Sequence, residues 1–279
     1  MKVTIIGVGL IGGSLALALR SKEIADTIIG VEENLKHQTK ALELGLVDKI
    51  EPLDKAIESA DLVVLSIPVG AVIKLLPKVL DQVDKQVVID VGSTKESIVN
   101  AIKNHPKRNR FVATHPMWGT EYSGPEAAEK NAFANRATVI CSKEESDDDA
   151  LMLTEKIYRT LGMHIMYMNA KDHDLHVAYI SHIAHITSFA LANTVLEKEK
   201  EDNTIFELAS AGFESTVRLA KSNPSTWTSI FIENRDNVLD VLNEHIIQLQ
   251  KFKVSLENQD HNDLEKLMKN ANKIKRILK

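Results

Sequence analysis

Thr114-His115-Pro116-Met117-Trp118-Gly119-Thr120-Glu121-Tyr122-Ser123-Gly124 places a titratable imidazole directly after the apolar, strand-like run Arg110-Phe111-Val112-Ala113. Pro116 and the turn residues after it are expected to hold the backbone out of regular structure. A loop histidine of this kind can take a proton from a substrate. The chain opens with a second chemical signature. Gly7-Val8-Gly9-Leu10-Ile11-Gly12 follows the strand-like Val3–Ile6 and begins a helix rich in Leu and Ala. In that context G-x-G-x-x-G is a dinucleotide fingerprint, here spanning Gly7, Gly9, Leu10, Ile11 and Gly12. Gly7 allows the tight turn, Gly9 the close approach of a pyrophosphate, and Gly12 the packing of helix on strand. Hydride leaving for a nicotinamide while His115 takes a proton is the chemistry this pair suggests.

Other residues fall where such a reaction needs them. Glu32 lies 20 positions beyond Gly12 (32 − 12), at the end of the second strand. An acid there accepts from ribose hydroxyls and repels a 2′-phosphate, which points to NAD over NADP. Ser66 and Pro68 close another strand, and their backbone is expected to meet the cofactor. In Asp90-Val91-Gly92-Ser93-Thr94-Lys95, Ser93 is placed either to cap the helix Lys95–Lys103 or to share a crevice with His115. His182 and His185 share a helix face, with His173 and His176 upstream. No convincing third ligand completes a metal site, so none is expected. His182 reads as a core residue and His185 as a contact for an anionic substrate. Arg218, in an apolar helical pattern, can anchor a carboxylate with its fork of donors.

These residues need a scaffold, and the periodicity supplies one. Up to residue 168, strand candidates alternate with helical patterns: Val3–Ile6, Thr27–Val31, Leu62–Ile67, Val87–Val91, Phe111–Ala113, Thr138–Cys141 and His164–Met168. Such alternation predicts a parallel sheet with helices on both faces. From 169 to 279 the strand signal is gone. Long amphipathic runs follow at Asp172–Lys200, Thr204–Lys221, Ser225–Leu256 and Asp260–Leu278, with breakers at Asn203, Asn223-Pro224 and Asn258. The fold class is therefore α/β, a Rossmann-type dinucleotide-binding domain (1–168) followed by an all-helical domain (169–279). Ser146 and Asp149 are expected to form a capping box opening the helix Ala150–Leu161. The helix Ile180–Leu196 is apolar on most faces, as suits burial within the chain or between two subunits.

Composition narrows the class further. The chain has 279 residues, 44% apolar and 26% charged, with net charge −5, which argues against nucleic acid or an anionic membrane as a partner. We expect no signal peptide, no bilayer-spanning stretch and, with Cys141 the only cysteine, a reducing cytoplasmic setting.

The glycine fingerprint, Asp90–Lys95, His115–Gly124, Ser181–His185 and Gly212–Ala220 occur in an order that resembles the prephenate/arogenate dehydrogenases of tyrosine biosynthesis. The resemblance covers essentially the whole chain. It implies a homodimer through the helical domain, NAD as cofactor, and prephenate or arogenate as substrate, with prephenate preferred on resemblance alone. It implies that His115 accepts the C4 hydroxyl proton while Ser93 orients that hydroxyl. Arg218 and His185 would recognise substrate carboxylates, with Ser181 and Trp227 nearby and Glu121 in a polar gate. Three positions depart from the family pattern. Trp118 stands where a small residue is common, Ala184 where proline is common, and Ser215 where an acid is common, with Glu214 a possible substitute. Rival readings are another two-domain nicotinamide enzyme and a non-catalytic NAD sensor. The first usually relies on a lysine in the central helix, and none occurs between Asp172 and Glu197. The second needs none of Ser93, His115, His185 and Arg218.

Overall fold

The computed structural model describes residues 1–200 and 204–277, so the breaker at Asn203 and the helix end at Leu278 lie outside the described residues. Two compact units are formed, 1–234 and 235 onward.

In the first unit, β1 (Lys2–Ile6), β2 (Thr27–Val31), β3 (Lys49–Ile50), β4 (Leu62–Leu65), β5 (Val87–Asp90), β6 (Phe111–Pro116), β7 (Ala137–Cys141) and β8 (His164–Met168) make one sheet. The strand order is β3-β2-β1-β4-β5-β6-β7-β8. Between them run α1 (Leu10–Ser21), α2 (Leu35–Glu43), α3 (Leu53–Glu58), α4 (Val69–Gln82), α5 (Glu96–Ala101) and α6 (Asp148–Thr160). Leu15, Leu19 and Ile157 pack against Val64 and Ile89 in one apolar layer, and Val72, Leu76 and Ile98 against Val63 and Leu65 in another. Leu62, Val63, Val64 and Leu65 are wholly buried, which is why β4 reads as an unbroken apolar run. Each such side chain contributes about 1.5–3 kcal/mol.

The expected strands are all present, and β3 is an addition too short to leave a pattern. The parallel expectation holds only as far as β6. The β7 strand runs antiparallel to β6, and β8 parallel to β7. Between β6 and β7 the only helical turn is the 3₁₀ segment Pro125–Ala127, so no crossover helix carries the chain back for a parallel pairing. This pairing also lengthens β6. His115 sits opposite Val139 and Pro116 opposite Thr138, so the histidine belongs to the strand and not to the loop after it.

The expected capping box is absent. Ser146 Oγ instead donates to the Phe111 carbonyl (2.8 Å), Asp147 takes the N-cap position, and Asp147 and Asp149 both bind Arg110.

Beyond the sheet, α7 (Ala170–Val177), a π-helical turn at Ala178–His182 and α8 (Ile183–Glu199) form one helical run. At 30 residues it is long and apolar enough to cross a membrane by length and composition only, as core helices also are, and Lys171, Asp172 and Asp174 interrupt its apolar pattern. It carries His173, Asp174, His182 and His185, all buried, on its inner face. Within α8 only His185 and Ser188 are buried, so the expected burial of Ile180–Leu196 is not met within this chain. Thr204–Lys221 is not one helix. It divides into the 3₁₀ turn Phe206–Leu208, α9 (Ala211–Val217) and the 3₁₀ turn Arg218–Lys221, because Ala209 and Ser210 are extended. Asn223 caps α10 (Pro224–Glu233) through Ser225 N and Thr226 N. The expected run Ser225–Leu256 breaks at Asn234, whose side chain donates to the Asp174 carbonyl (2.7 Å) and pairs with His182 Nδ1 (3.1 Å). The second unit comprises α11 (Arg235–Glu257) and α12 (His261–Ala271), tied near their turn by Ser255 Oγ donating to Asp263 (2.5 Å).

Gly12 has no room for a side chain: a Cβ there would lie 2.1 Å from the Gly7 carbonyl oxygen. Gly12→Val should lower stability by at least the ~1–3 kcal/mol typical of overpacking. A urea unfolding midpoint equal to that of the wild type would refute this close approach.

Candidate active site

The carboxyl ends of β1 and β4 meet where the strand order reverses, and a cleft of about 450 Å³ opens there. Gly7 leaves β1 at φ +90°, and a Cβ on it would lie 2.4 Å from the Ser66 carbonyl oxygen. No side chain caps α1 at Gly9, so the first helical residues, Leu10 and Ile11, bring uncapped amides to the cleft wall. An anionic pyrophosphate fits that end. Gly12 is buried behind the wall, in a packing role. The Glu32 carboxylate is held by the amides of Val8 (3.1 Å) and Asn34 (3.0 Å), and His37 stands 3.9 Å away. Gly7, Gly9, Leu10, Ile11, Glu32, Ser66 and Pro68 thus line one cleft with Ser93 and His115.

His115 is held from behind. Its Nδ1 lies 2.9 Å from His173 Nε2, and His173 Nδ1 lies 2.7 Å from Asp174 Oδ1. Asp174 also accepts the Lys95 amide (2.7 Å) and the Glu96 amide (2.8 Å), so it caps α5 from another helix. That settles the two readings of Ser93 in one respect: no side chain of its own segment caps α5, and Ser93 lines the cleft. Dehydration of the imidazole holds the His115 pKa well below 6.5, with smaller contributions from His173, Lys95 and His182.

Beneath this lies a buried charge pair. Lys95 and Asp90 are fully buried and bound to one another. Lys95 Nζ also donates to the Thr114 carbonyl (2.8 Å), while Asp90 accepts the amides of Gly92 (2.8 Å) and Thr114 (3.2 Å). Thr114 Oγ1 binds the Asp90 carbonyl and the Tyr158 hydroxyl. Removing one member of such a pair leaves an uncompensated buried charge, at a cost of about 3–5 kcal/mol.

The opposite wall comes from the helices. Trp227 lines the cleft and stacks on His185, ring centroids 3.3 Å apart. His185 Nδ1 lies 3.1 Å from the Ser181 carbonyl oxygen, so Ser181 engages it through its backbone. Burial pushes the His185 pKa down to about 4, the Ser181 carbonyl opposing and Arg218 adding to the shift. Arg218 does not border the cleft. It is half-exposed and pairs with Glu121 at 2.7 Å, on the loop whose Thr120 and Tyr122 do border it. The Glu121 carboxyl is held below its usual range by its own backbone amide and then by Arg218. Glu214 does not substitute at Ser215: it faces Lys221 (3.6 Å), and Ser215 Oγ donates to the Gly212 carbonyl. Trp118 borders the cleft and packs edge-on against Phe133. Near Ala184 the helical run carries its π turn. Of the four histidines weighed for a metal, His173 contacts Asp174, His182 contacts Asn234 and His185 contacts the Ser181 carbonyl.

Comparison with known proteins identifies the family. The family described as prephenate dehydrogenase, nucleotide-binding domain, matches residues 15–167, and prephenate dehydrogenase, dimerization domain, matches 169–270. The prephenate dehydrogenase of Bacillus subtilis is 30% identical over 97% of this chain and 75% of its own length. This chain belongs to the prephenate dehydrogenase family. A cyclohexadienyl dehydrogenase of Zymomonas mobilis, also 30% identical, is matched over 99% of this chain and 96% of its length. Among solved structures, the Aquifex aeolicus prephenate dehydrogenase in complex with hydroxyphenyl propionate and NAD+ superposes with TM-score 0.90 at 30% identity, covering 99% and 97% of the two chains. The Synechocystis arogenate dehydrogenase, 29% identical and 99% covered on both sides, gives 0.74. The enzyme is an oxidoreductase of this family's α/β-plus-helical architecture.

Sequence reasoning missed Asp174, Lys95 and Asn234, and considered His173 only for a metal. One signal was available. The buried face of α7 and its continuation is Ala170, His173, Asp174, Val177 and Ala178, the helical spacing of an apolar stripe with two ionisable residues on it. His182, buried beside them, has its pKa lowered to about 4, chiefly by dehydration. In the unfolded chain it protonates near 6.5, so the unfolded state binds the extra proton first. Stability contributed by neutral His182 is therefore full above 6.5 and declines by about 3 kcal/mol as pH falls to 4. Urea unfolding of wild type and His182→Gln across that range checks this; equal slopes would contradict it.

Proposed function

We propose that this chain is an NAD-dependent prephenate dehydrogenase, converting prephenate to 4-hydroxyphenylpyruvate by oxidation at C4 and loss of carbon dioxide. The observation that carries the reading is His115, its Nδ1 engaged by His173 and its Nε2 left for a ligand, in one cleft with Ser93, the uncapped start of α1 and Glu32. Bound in that cleft, NAD supplies the hydride acceptor. Glu32 holds the adenosine ribose and disfavours a 2′-phosphate. Ser93 orients the C4 hydroxyl, and neutral His115 removes its proton. The C4 carbonyl formed is conjugated through the ring to C1, so it receives the electrons released with carbon dioxide, and aromatisation follows. Arg218, with Glu121 as its partner at the cleft rim, receives a substrate carboxylate by exchanging one anion for another. Trp227 completes that wall, with His185 stacked on it.

Arogenate is the second reading, and one observation favours it. With Nδ1 turned to the Ser181 carbonyl, neutral His185 offers an acceptor at Nε2, which suits an ammonium better than a carboxylate. Initial rates with each substrate, using NAD and NADP, separate the readings. The same proposal makes the chain a cytoplasmic homodimer, its partner covering apolar side chains exposed here, such as Tyr179, Ile180 and Leu196.

His115→Asn should reduce turnover about 10²–10⁴-fold with NAD affinity retained. Because protonated His115 cannot act as base, wild-type activity should fall with pH only well below 6.5, lower than an unperturbed histidine would give. Full turnover in the variant removes His115 from the reaction. Arg218→Ala should raise the Michaelis constant for prephenate at least tenfold with little change for NAD; an unchanged constant makes it a surface arginine.

A further inference from the structure

A base whose protonated form is destabilised by dehydration needs somewhere to place the charge it collects. The chain behind His115 supplies that place. Asp174 is an acceptor only, so the 2.7 Å contact with His173 Nδ1 requires a proton on that nitrogen. Neutral His173 then has a bare Nε2, which at 2.9 Å accepts from His115 Nδ1–H. This sequence of tautomers leaves the lone pair of His115 Nε2 for the cleft.

We propose that His173 and Asp174 are positioning residues that fix His115 as an acceptor and take over the proton it receives. The inference rests on the reading of His115 as the base. When the substrate hydroxyl gives its proton to His115 Nε2, the Nδ1 proton of His115 passes to His173 Nε2. The hydroxyl O–H and His115 Nδ1–H bonds break, and two N–H bonds form. His115 ends neutral in its other tautomer, and the positive charge rests on His173 against the Asp174 carboxylate. After product leaves, the path runs backwards: His173 Nε2–H returns its proton to His115 Nδ1, and His115 Nε2–H gives its proton to solvent.

The surroundings favour this end point. Asp174 is anchored by two amides at the start of α5 and, among the described residues, by no lysine or arginine. The one cation at hand, Lys95, is bound to Asp90 and to the Thr114 carbonyl. His182 faces the pair from the π turn, with Nδ1 bonded to Asn234, and Cys141 stands on β7 with its thiol pushed up to about 12 by burial. Glu96 meets Asp174 through its backbone amide. Among these groups only Asp174 has a carboxylate directly against His173.

The test uses the full-length protein. His173→Gln keeps an oxygen able to accept from His115 Nδ1–H but cannot hold a proton. It should lose about 10²-fold or more in kcat while KM for prephenate, NAD affinity and thermal unfolding stay near wild type. The acid limb of kcat/KM should move down by at least one pH unit, since His115 must then carry the charge alone, and Asp174→Asn should move it the same way. A limb that stays in place, or kcat within threefold of wild type, overturns the relay. In ¹⁵N-histidine NMR of the wild type near pH 8, His115 and His173 should both carry their proton on Nδ1. Protonation of either at Nε2 overturns the proposal and needs no turnover to be seen. Absence of turnover with both prephenate and arogenate, alongside the expected tautomers, would instead count against the proposed reaction.

Discussion

The Asp174 carboxylate is the contact on which the site depends. It caps α5 by accepting the amides of Lys95 and Glu96, and it orients His173 behind His115. Its own carbonyl takes the side chain of Asn234, which draws that residue out of helical conformation and ends α10. One residue on the first helix after the sheet thus joins the Asp90–Lys95 turn, the end of β6 and the end of α10. A carboxylate is well suited to this task because it has several lone pairs and no proton to donate. Every partner must then present a donor, which fixes orientations that a hydroxyl or an amide would leave ambiguous.

The buried charges have defined partners. Lys95 faces Asp90, and Asp174 faces the amides of Lys95 and Glu96 and the His173 ring. Were Lys95 unpaired, its charge so near His115 would oppose protonation there far more strongly in this low-dielectric setting. With Asp90 bound to it, Lys95 fixes Thr114 through the carbonyl, and so fixes the residue beside His115. The ion pair serves geometry first, since buried pairs seldom add net stability over apolar packing. That explains why an apolar sheet tolerates a lysine with no exposed surface.

What was legible in the residues follows from local physics. Buried strands such as Leu62–Leu65, the glycine turn at Gly7–Gly12 and the placing of Ser93 and His115 at strand ends all follow from short-range pattern. The reversal of β7 was not legible, because it depends on what the segment 117–136 does not form, and so the end of β6 was misplaced. Continuous helices over Thr204–Lys221 and Ser225–Leu256 were overestimated for another reason. Periodicity reports an apolar face, but Asn234 leaves its helix for partners some 60 and 52 residues away in sequence. Asp174 and His173 were overlooked because a charged pair on an apolar stripe has meaning only once the facing strand is known. Ser146 was misread because its hydroxyl found a carbonyl on another element before it found its own helix.

The loop after β6 ties the chemical end of the cleft to its cofactor end. It begins after Pro116, and Trp118, Gly119, Thr120, Tyr122, Ser123 and Gly124 continue along the same cleft that holds Glu32 and His37. Both of its ends are fixed: β7 holds the first through Met117 N and the Ala137 carbonyl (2.8 Å), and Ser14 of α1 receives the Glu129 amide (2.8 Å) beyond the second. Between these anchors, Glu121 binds Arg218 from the helical side. An exposed pair of this kind contributes about 0–1 kcal/mol, so a competing anion can displace Glu121 from Arg218 at little cost. Strong anchors at the ends and a weak one in the middle let the loop shift without moving His115, which is held by β7 and His173 and not by the loop it precedes.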